Sequence, residues 1–259
     1  MTAVTSTKEG PVILITGASG GVGQAAALAC AQDGARIAIH YHQNQVAAEV
    51  LLKTLPGTGH QVFSADITAP TQVETLIQRV VTEMGTLNVL VNNAGIVARC
   101  DITTIDYATW QANWQRVLDT NLTAAANLSF CAAQQMLKTG GGRLINVSSR
   151  GAFRGEPMMP WYGAAKAGMN AMGQSLAQAL GPKGIYVYTV APGFIETPLA
   201  AALLAGPEGP AIRQQSPMVC CSSSISCSAV SPIVLFSSMP SLMSNSGNSS
   251  SCVQSSLLR

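Results

Sequence analysis

Residues 12–30 read VILITGASGGVGQAAALAC. An apolar, β-branched run at 12–16 gives way to TGASGGVG (16–23), and an alanine-rich run follows from 22 to 33. A strand that is apolar at every position is one buried on both faces. The glycines let the chain turn sharply, and a helix that starts at the turn presents unsatisfied N–H groups to an anion such as a pyrophosphate. The same letters also fit a plain glycine-rich turn with no ligand, so the rest of the chain must decide.

The strand-and-helix alternation continues. Short Val- and Ile-rich runs at 36–41, 61–65, 87–92, 142–148 and 185–190 are predicted strands. Helical stretches are predicted at 22–33, 45–55, 70–85, 108–138 and 161–181. Repeated βα units imply an α/β domain with a parallel sheet and helices on both faces. Ligands in such sheets bind at the carboxyl ends of the strands.

Composition narrows the function classes. The chain has 259 residues, 10% of them charged, and a net charge of +2. That balance makes no case for a nucleic-acid or membrane surface. The apolar run at 12–15 is too short for a secretory leader and leads straight into glycines, so a cytoplasmic protein is expected. Cys30, Cys100 and Cys131 sit among apolar neighbours and are expected to be buried thiols. Cys220, Cys221, Cys227 and Cys252 lack the spacing and the histidines of a zinc site, and no metal is expected.

Five further motifs carry chemistry. Tyr162 and Lys166 stand four residues apart in a predicted helix, on one face. A nearby cation favours phenolate, so Lys166 is expected to lower the tyrosine pKa. A phenol so tuned can exchange a proton with a substrate oxygen. Ser148 and Ser149 end a strand 13 residues before Tyr162. A hydroxyl there can bind the reacting oxygen, and Ser148 is read as the structural one of the two. NNAG (92–95) and PGFIET (192–197) follow two more strands, where loops and ligand contacts are both natural. Asn121 lies in a long apolar helix, where an amide needs partners.

Taken together, TGASGGVG, Asp66-Ile67, NNAG, Asn121, Ser149, YGAAK (162–166) and PGFIET resemble the short-chain dehydrogenase/reductase superfamily in its classical form, over residues 10–213. Stretches such as LVNNAGI and SSRGA are similar to the bacterial 3-oxoacyl-acyl-carrier-protein reductases. The resemblance implies a single-domain Rossmann-like doubly wound parallel sheet of about seven strands. It also implies hydride transfer between NAD(P)(H) and a carbonyl or alcohol. By analogy Tyr162 is the general acid, Lys166 tunes it and holds the nicotinamide ribose, Ser149 polarises the carbonyl, and Asn121 helps hold a water relay. Gly17, Ser19, Gly21, Val22 and Gly23 would meet the diphosphate. Asp66 and Ile67 would meet the adenine, with Asn93, Ala94 and Gly95 beside its ribose. Pro192, Gly193, Ile195 and Thr197 would reach the carboxamide and phosphates.

The second predicted strand ends His40-Tyr41-His42-Gln43, with no carboxylate at about Tyr41 to bind a ribose 2′-OH. NADP(H) is therefore favoured over NAD(H), with Arg36 and His42 as the nearby cations. Arg150, Phe153, Met158, Met159 and Trp161, with a flap at 198–213, suggest a largely apolar substrate pocket. A 3-oxoacyl thioester, a bulky ketone, a sugar or a steroid-like alcohol all remain open. An idle nucleotide-binding regulatory protein is the alternative of another class. The family implies a homotetramer.

Residues 1–259 read as one domain, with 10–197 as its cofactor and catalytic core, but 214–259 depart from the pattern. No Asp, Glu, Lys or Arg occurs from 214 to 258, and serine is the commonest residue. VLF at 234–236 keeps the family's length and register while the side-chain chemistry is lost. A serine-rich tail, a diverged closing element and a reading-frame error compete, and persistence of register without chemistry favours the last. Intact mass spectrometry is then expected to depart from 26.8 kDa; an agreeing mass, with peptides spanning 218–258, would overturn that reading.

Overall fold

The computed structural model describes residues 10–214 apart from 196, 198–200, 202–203 and 208. Strand β1 (Val12–Ile15) leads into α1 (Gly21–Gln32), followed by β2 (Arg36–Tyr41), α2 (Gln45–Thr54), β3 (Gln61–Ser64), α3 (Pro70–Met84) and β4 (Val89–Asn92). The second half holds α4 (Tyr107–Leu118), a π-helical turn (Asp119–Thr123), α5 (Ala124–Lys138), β5 (Gly142–Val147), α6 (Pro160–Leu180), β6 (Ile185–Val190) and α7 (Gly209–Gln214). All pairings are parallel and the strand order is β3-β2-β1-β4-β5-β6. This is the doubly wound arrangement, whose order reverses between β1 and β4 and opens a crevice there.

The fully apolar strands do what their composition requires. Val12 and Leu14 enter a core with Phe63, Leu90, Leu128 and Leu144, beneath α3 and α5. Ile13 and Ile15 point the other way, into a core with Ile37, Ile39 and Leu51 beneath α1 and α2. Alternate residues of one short strand thus serve two opposite layers, and neither face of β1 is left for water. Local signals set the helix ends. Asn44 Oδ1 accepts from Ala47 N at 3.0 Å to cap α2, and Asp106 Oδ1 accepts from Thr109 N at 2.8 Å to cap α4. Gly85 closes α3 at φ 84°.

Several expectations are corrected. The sheet has six strands among the described residues, not about seven; of the segment 214–259, where a closing strand was sought, everything after Gln214 lies outside them. The stretch 108–138 is not a uniform α-helix, because a π turn interrupts it at Asn121. Cys30, Cys100 and Cys131 are half-buried free thiols rather than core residues. Among the described residues no helix is long and apolar enough to cross a membrane.

The two-layer core predicts a sharp contrast between positions. Leu90 is 0% exposed and Val46 is 72% exposed. Leu90→Ala should lower the unfolding free energy by about 2–5 kcal/mol, and Val46→Ala should change it by less than about 0.5 kcal/mol, read from urea midpoints.

Candidate active site

The carboxyl end of β5 fastens α6 through three successive residues. Lys166 Nζ donates to Val147 O at 2.7 Å. Ser148 Oγ donates to Lys166 O at 3.3 Å from a buried position. Ser149 stays extended (φ −161°, ψ 156°) and hydrogen-bonds Tyr162, while its Oγ accepts from Gly151 N at 3.1 Å. Strand alternation therefore sends the Ser148 hydroxyl inward and the Ser149 hydroxyl to the cleft.

Helix α6 is anchored by its neighbours in sequence. Pro160 opens it, and Trp161 is wholly buried with Nε1 donating to Ala98 O at 2.8 Å. Trp161 also meets Trp110 of α4 edge to face, with centroids 5.3 Å apart. Tyr162 packs half-buried at the edge of the cluster that holds Trp161, and Lys166 Nζ lies 5.9 Å from its ring centroid.

Burial sets the electrostatics. Lys166 is 3% exposed, and loss of hydration lowers its pKa to about 8. The Tyr162 phenol is raised, first by burial; the Ser149 hydrogen bond opposes this and the Glu156 carboxylate adds to it. The direction is opposite to the lowering expected from Lys166, because desolvation is the largest cause acting on the phenol.

Asn121 and Gly95 complete this corner. Asn121 Oδ1 accepts from Ile96 N at 2.8 Å, and its Nδ2 donates to Ile96 O at 2.9 Å, so the amide clips the loop after β4 as a strand partner would. The π turn aims it there. A Cβ at Gly95 would lie 3.3 Å from Asn121 Oδ1 and 3.8 Å from Lys166 Nζ, so the loop passes close to both groups.

The glycine-rich turn is held from β4. Thr16 Oγ1 donates to Val91 O and accepts from the amides of Asn93 and Ala94, each at 3.0 Å. Asn93 Nδ2 donates to Thr16 O at 2.8 Å and to Gly17 O at 3.2 Å. Asn93 thus brackets the turn. Gly17 adopts φ +61°, and a Cβ on it would press Ala94 Cα at 3.0 Å. A Cβ on Gly23 would meet Gly17 O at 2.7 Å, so Gly23 serves close packing of α1 on the turn. The first turn of α1 has Gly20 at its N-cap and no side-chain cap, which leaves its amides for an anion. Ser19 and Val22 are half-buried on this turn. This donor set fits a dinucleotide diphosphate.

The adenosine side is more mixed. Asp66 Oδ1 accepts from Thr68 Oγ1 and N at 2.7 and 2.9 Å, and these bonds hold its carboxyl below the usual range. Ile67 is buried with Phe63 and Val73 and presents little apolar surface to a base. Tyr41 is half-buried and His42 exposed. Arg36 is corrected as a candidate for a 2′-phosphate. It opens β2, with Nε donating to Gly10 O at 3.3 Å, five residues and about 16 Å from the strand's carboxyl end.

The loop after β6 comes back over both halves. Pro192 O accepts from Arg150 N at 3.0 Å, and Thr197 lies over Gly21, 2.9 Å from where a Cβ would stand. Gly193 is exposed and Ile195 half-buried. The expected apolar pocket is also corrected. Met159 and Trp161 are core residues and Phe153 is 67% exposed. Arg150 stacks 4.3 Å from the Phe194 ring centroid and lies 3.9 Å from Glu156 Oε1. The described part of the mouth is therefore charged as well as apolar. Of the flap, only part lies within the described residues, with Leu204 buried.

Sequence reasoning missed Ile96 and Glu156, and took Thr16 only as the first residue of the glycine-rich motif. Ile96 acts through its backbone, which no side-chain pattern reports. Glu156 had a usable signal, as the only carboxylate between Ser149 and Tyr162.

A family model described as short chain dehydrogenase matches residues 11–208. The chain is 35% identical over 209 residues to a 3-oxoacyl-[acyl-carrier-protein] reductase of Synechocystis sp., covering 80% of this chain and 81% of that protein. It is 36% identical over 192 residues to the protein of the same name from Staphylococcus aureus, covering 73% and 76%. A crystal structure of a short-chain type dehydrogenase/reductase from Mycobacterium marinum superposes with a TM-score of 0.67 at 30% identity, covering 75% and 77%.

The depressed pKa of Lys166 fixes a sign. An amine whose folded pKa falls from 10.5 to about 8 contributes stability above 10.5 that is lost as pH falls toward 8. Relative to Lys166→Met, the wild-type chain should lose about 3 kcal/mol over that window, measured by urea unfolding at pH 7, 8, 9 and 10. Parallel pH curves for the two proteins would refute the assignment.

Proposed function

This chain belongs to the short-chain dehydrogenase family, and from that premise we propose that it is an NADPH-dependent reductase of a 3-oxoacyl thioester or a related ketone. Family membership makes it an NAD(P)-dependent oxidoreductase that uses a nicotinamide cofactor. The observation that carries the finer reading is the Ser149–Tyr162–Lys166 group, in which the carboxyl end of β5 meets α6 and a hydroxyl, a phenol and an ammonium come together. A phenol so placed can give its proton to a carbonyl oxygen.

When bound, the reduced nicotinamide supplies the hydride. Ser149 orients the substrate carbonyl and donates to its oxygen, where negative charge develops. Tyr162 gives its proton to that oxygen. Lys166, still largely protonated at pH 7, favours the phenolate left behind. Asn121 holds the loop at Ile96 and so keeps Gly95 against Lys166. The α1 amides seat the diphosphate, and Asp66 receives the adenine amino group. The absence of a carboxylate at Tyr41 and His42 leaves room for a 2′-phosphate. The names of the Synechocystis and Staphylococcus relatives support the thioester substrate class. Assembly as a tetramer is proposed on the family's pattern.

Oxidation of NADPH, followed optically with acetoacetyl and longer 3-oxoacyl thioesters and a panel of ketones, tests the reading. Tyr162→Phe should reduce kcat at least about a thousandfold, the upper part of the range usual for a general acid together with lost orientation. kcat/KM should be higher with NADPH than with NADH. Activity that survives Tyr162→Phe, or a preference for NADH, would be decisive against it.

A further inference from the structure

One buried histidine takes no part in the proposed mechanism. Strand β2 reads RIAIHY, and its fifth residue, His40, is 1% exposed. Its Nδ1 receives the N–H of Gly17 at 3.1 Å, and its Nε2 lies 3.0 Å from Ala65 O. An amide can only donate and a carbonyl can only accept. The ring must therefore be neutral, with Nδ1 as acceptor and the proton on Nε2. The main-chain oxygen of the same residue accepts from Ala18 N at 3.1 Å. One residue thus holds two consecutive amides of the glycine-rich turn. Through Ala65 it also ties that turn to the end of β3, next to Asp66.

We infer that His40 is a positioning residue for the cofactor: as the neutral Nε2–H imidazole it locks the Gly17–Ala18 amides inward and so sets the geometry in which the α1 amides meet the diphosphate. Gly17 at φ +61° is a conformation that needs such a restraint, because a glycine has alternatives of similar energy. A proton on Nδ1 would place a donor against the Gly17 N–H. Burial guards against this by lowering the pKa to about 4, against the bond to Ala65 O that raises it; His42 lowers it further and Asp66 raises it. The inference rests on the family's dinucleotide site, and neither on the substrate nor on the preference for NADPH.

Three variants test it. His40→Asn keeps an acceptor on Cγ, where Nδ1 hangs, and loses the link to Ala65. His40→Gln reaches toward Ala65 and loses the acceptor for Gly17. His40→Leu loses both. Titration of cofactor fluorescence should show NADPH and NADH binding at least tenfold weaker in His40→Leu and His40→Gln, and within about threefold of wild type in His40→Asn. kcat at saturating cofactor should stay within about twofold in all that fold. If the Leu protein does not fold, the order of Asn against Gln decides. Binding in Gln equal to or tighter than in Asn, or kcat falling in step with affinity, would overturn the assignment. Because dissociation constants need no substrate, failure of the proposed reductase activity would leave the order of cofactor affinities among the three variants as an intact test.

Discussion

A single hydrogen bond, from the ammonium of Lys166 to the carbonyl of Val147, organises the cleft. An amine so deeply buried has lost most of its hydration, and a strand-end carbonyl is one of the few partners a parallel sheet can offer it. That bond fixes the distance between β5 and α6. With the distance fixed, Ser148 can reach the backbone of Lys166 and Ser149 can reach Tyr162. The burial that depresses the amine is the same burial that raises the phenol, so the two perturbed groups have one cause.

The other strand ends are stitched to this corner by main-chain recognition. Asn121 reads Ile96 with both amide atoms, and Thr16 and Asn93 read each other's neighbourhood across β1 and β4. Each link joins a residue that looks like a loop residue in sequence to a backbone group far along the chain. The π turn matters here. Asn121 stands inside that turn, where the helix departs from α geometry, and from there its amide meets both backbone groups of Ile96.

These links explain what was legible in advance. The parallel sheet was readable because the runs VILI (12–15), IAI (37–39) and VLV (89–91) are apolar throughout, as strands covered on both faces are. Tyr162, Lys166, Ser149 and Asn121 were singled out by the order and spacing of their motifs, and the structure brings the four to one corner. What escaped was whatever depends on backbone or on burial. The reversal of the Tyr162 shift follows from desolvation, which no spacing reports. Trp161 and Met159 were placed in the pocket because they flank Tyr162, yet helix rotation turns Trp161 into the core. Arg36 was placed by nearness in sequence to His42, but a strand carries its two ends to opposite edges of the sheet.

The alternation at the end of β5 has a consequence of its own. Val147, Ser148 and Ser149 act on α6 by carbonyl, inward hydroxyl and outward hydroxyl in turn, and the extended chain keeps this parity through Ser149. Which serine faces the cleft is therefore decided by counting residues from the sheet register, in which Val147 pairs with Val190. Loss or gain of one residue inside 142–149 would exchange the two hydroxyls while leaving the composition almost unchanged. The loop from 150 to 158 carries no such count. A change of length on the loop side of Ser149 therefore leaves the parity of the two hydroxyls untouched, whereas the same change on the sheet side exchanges them.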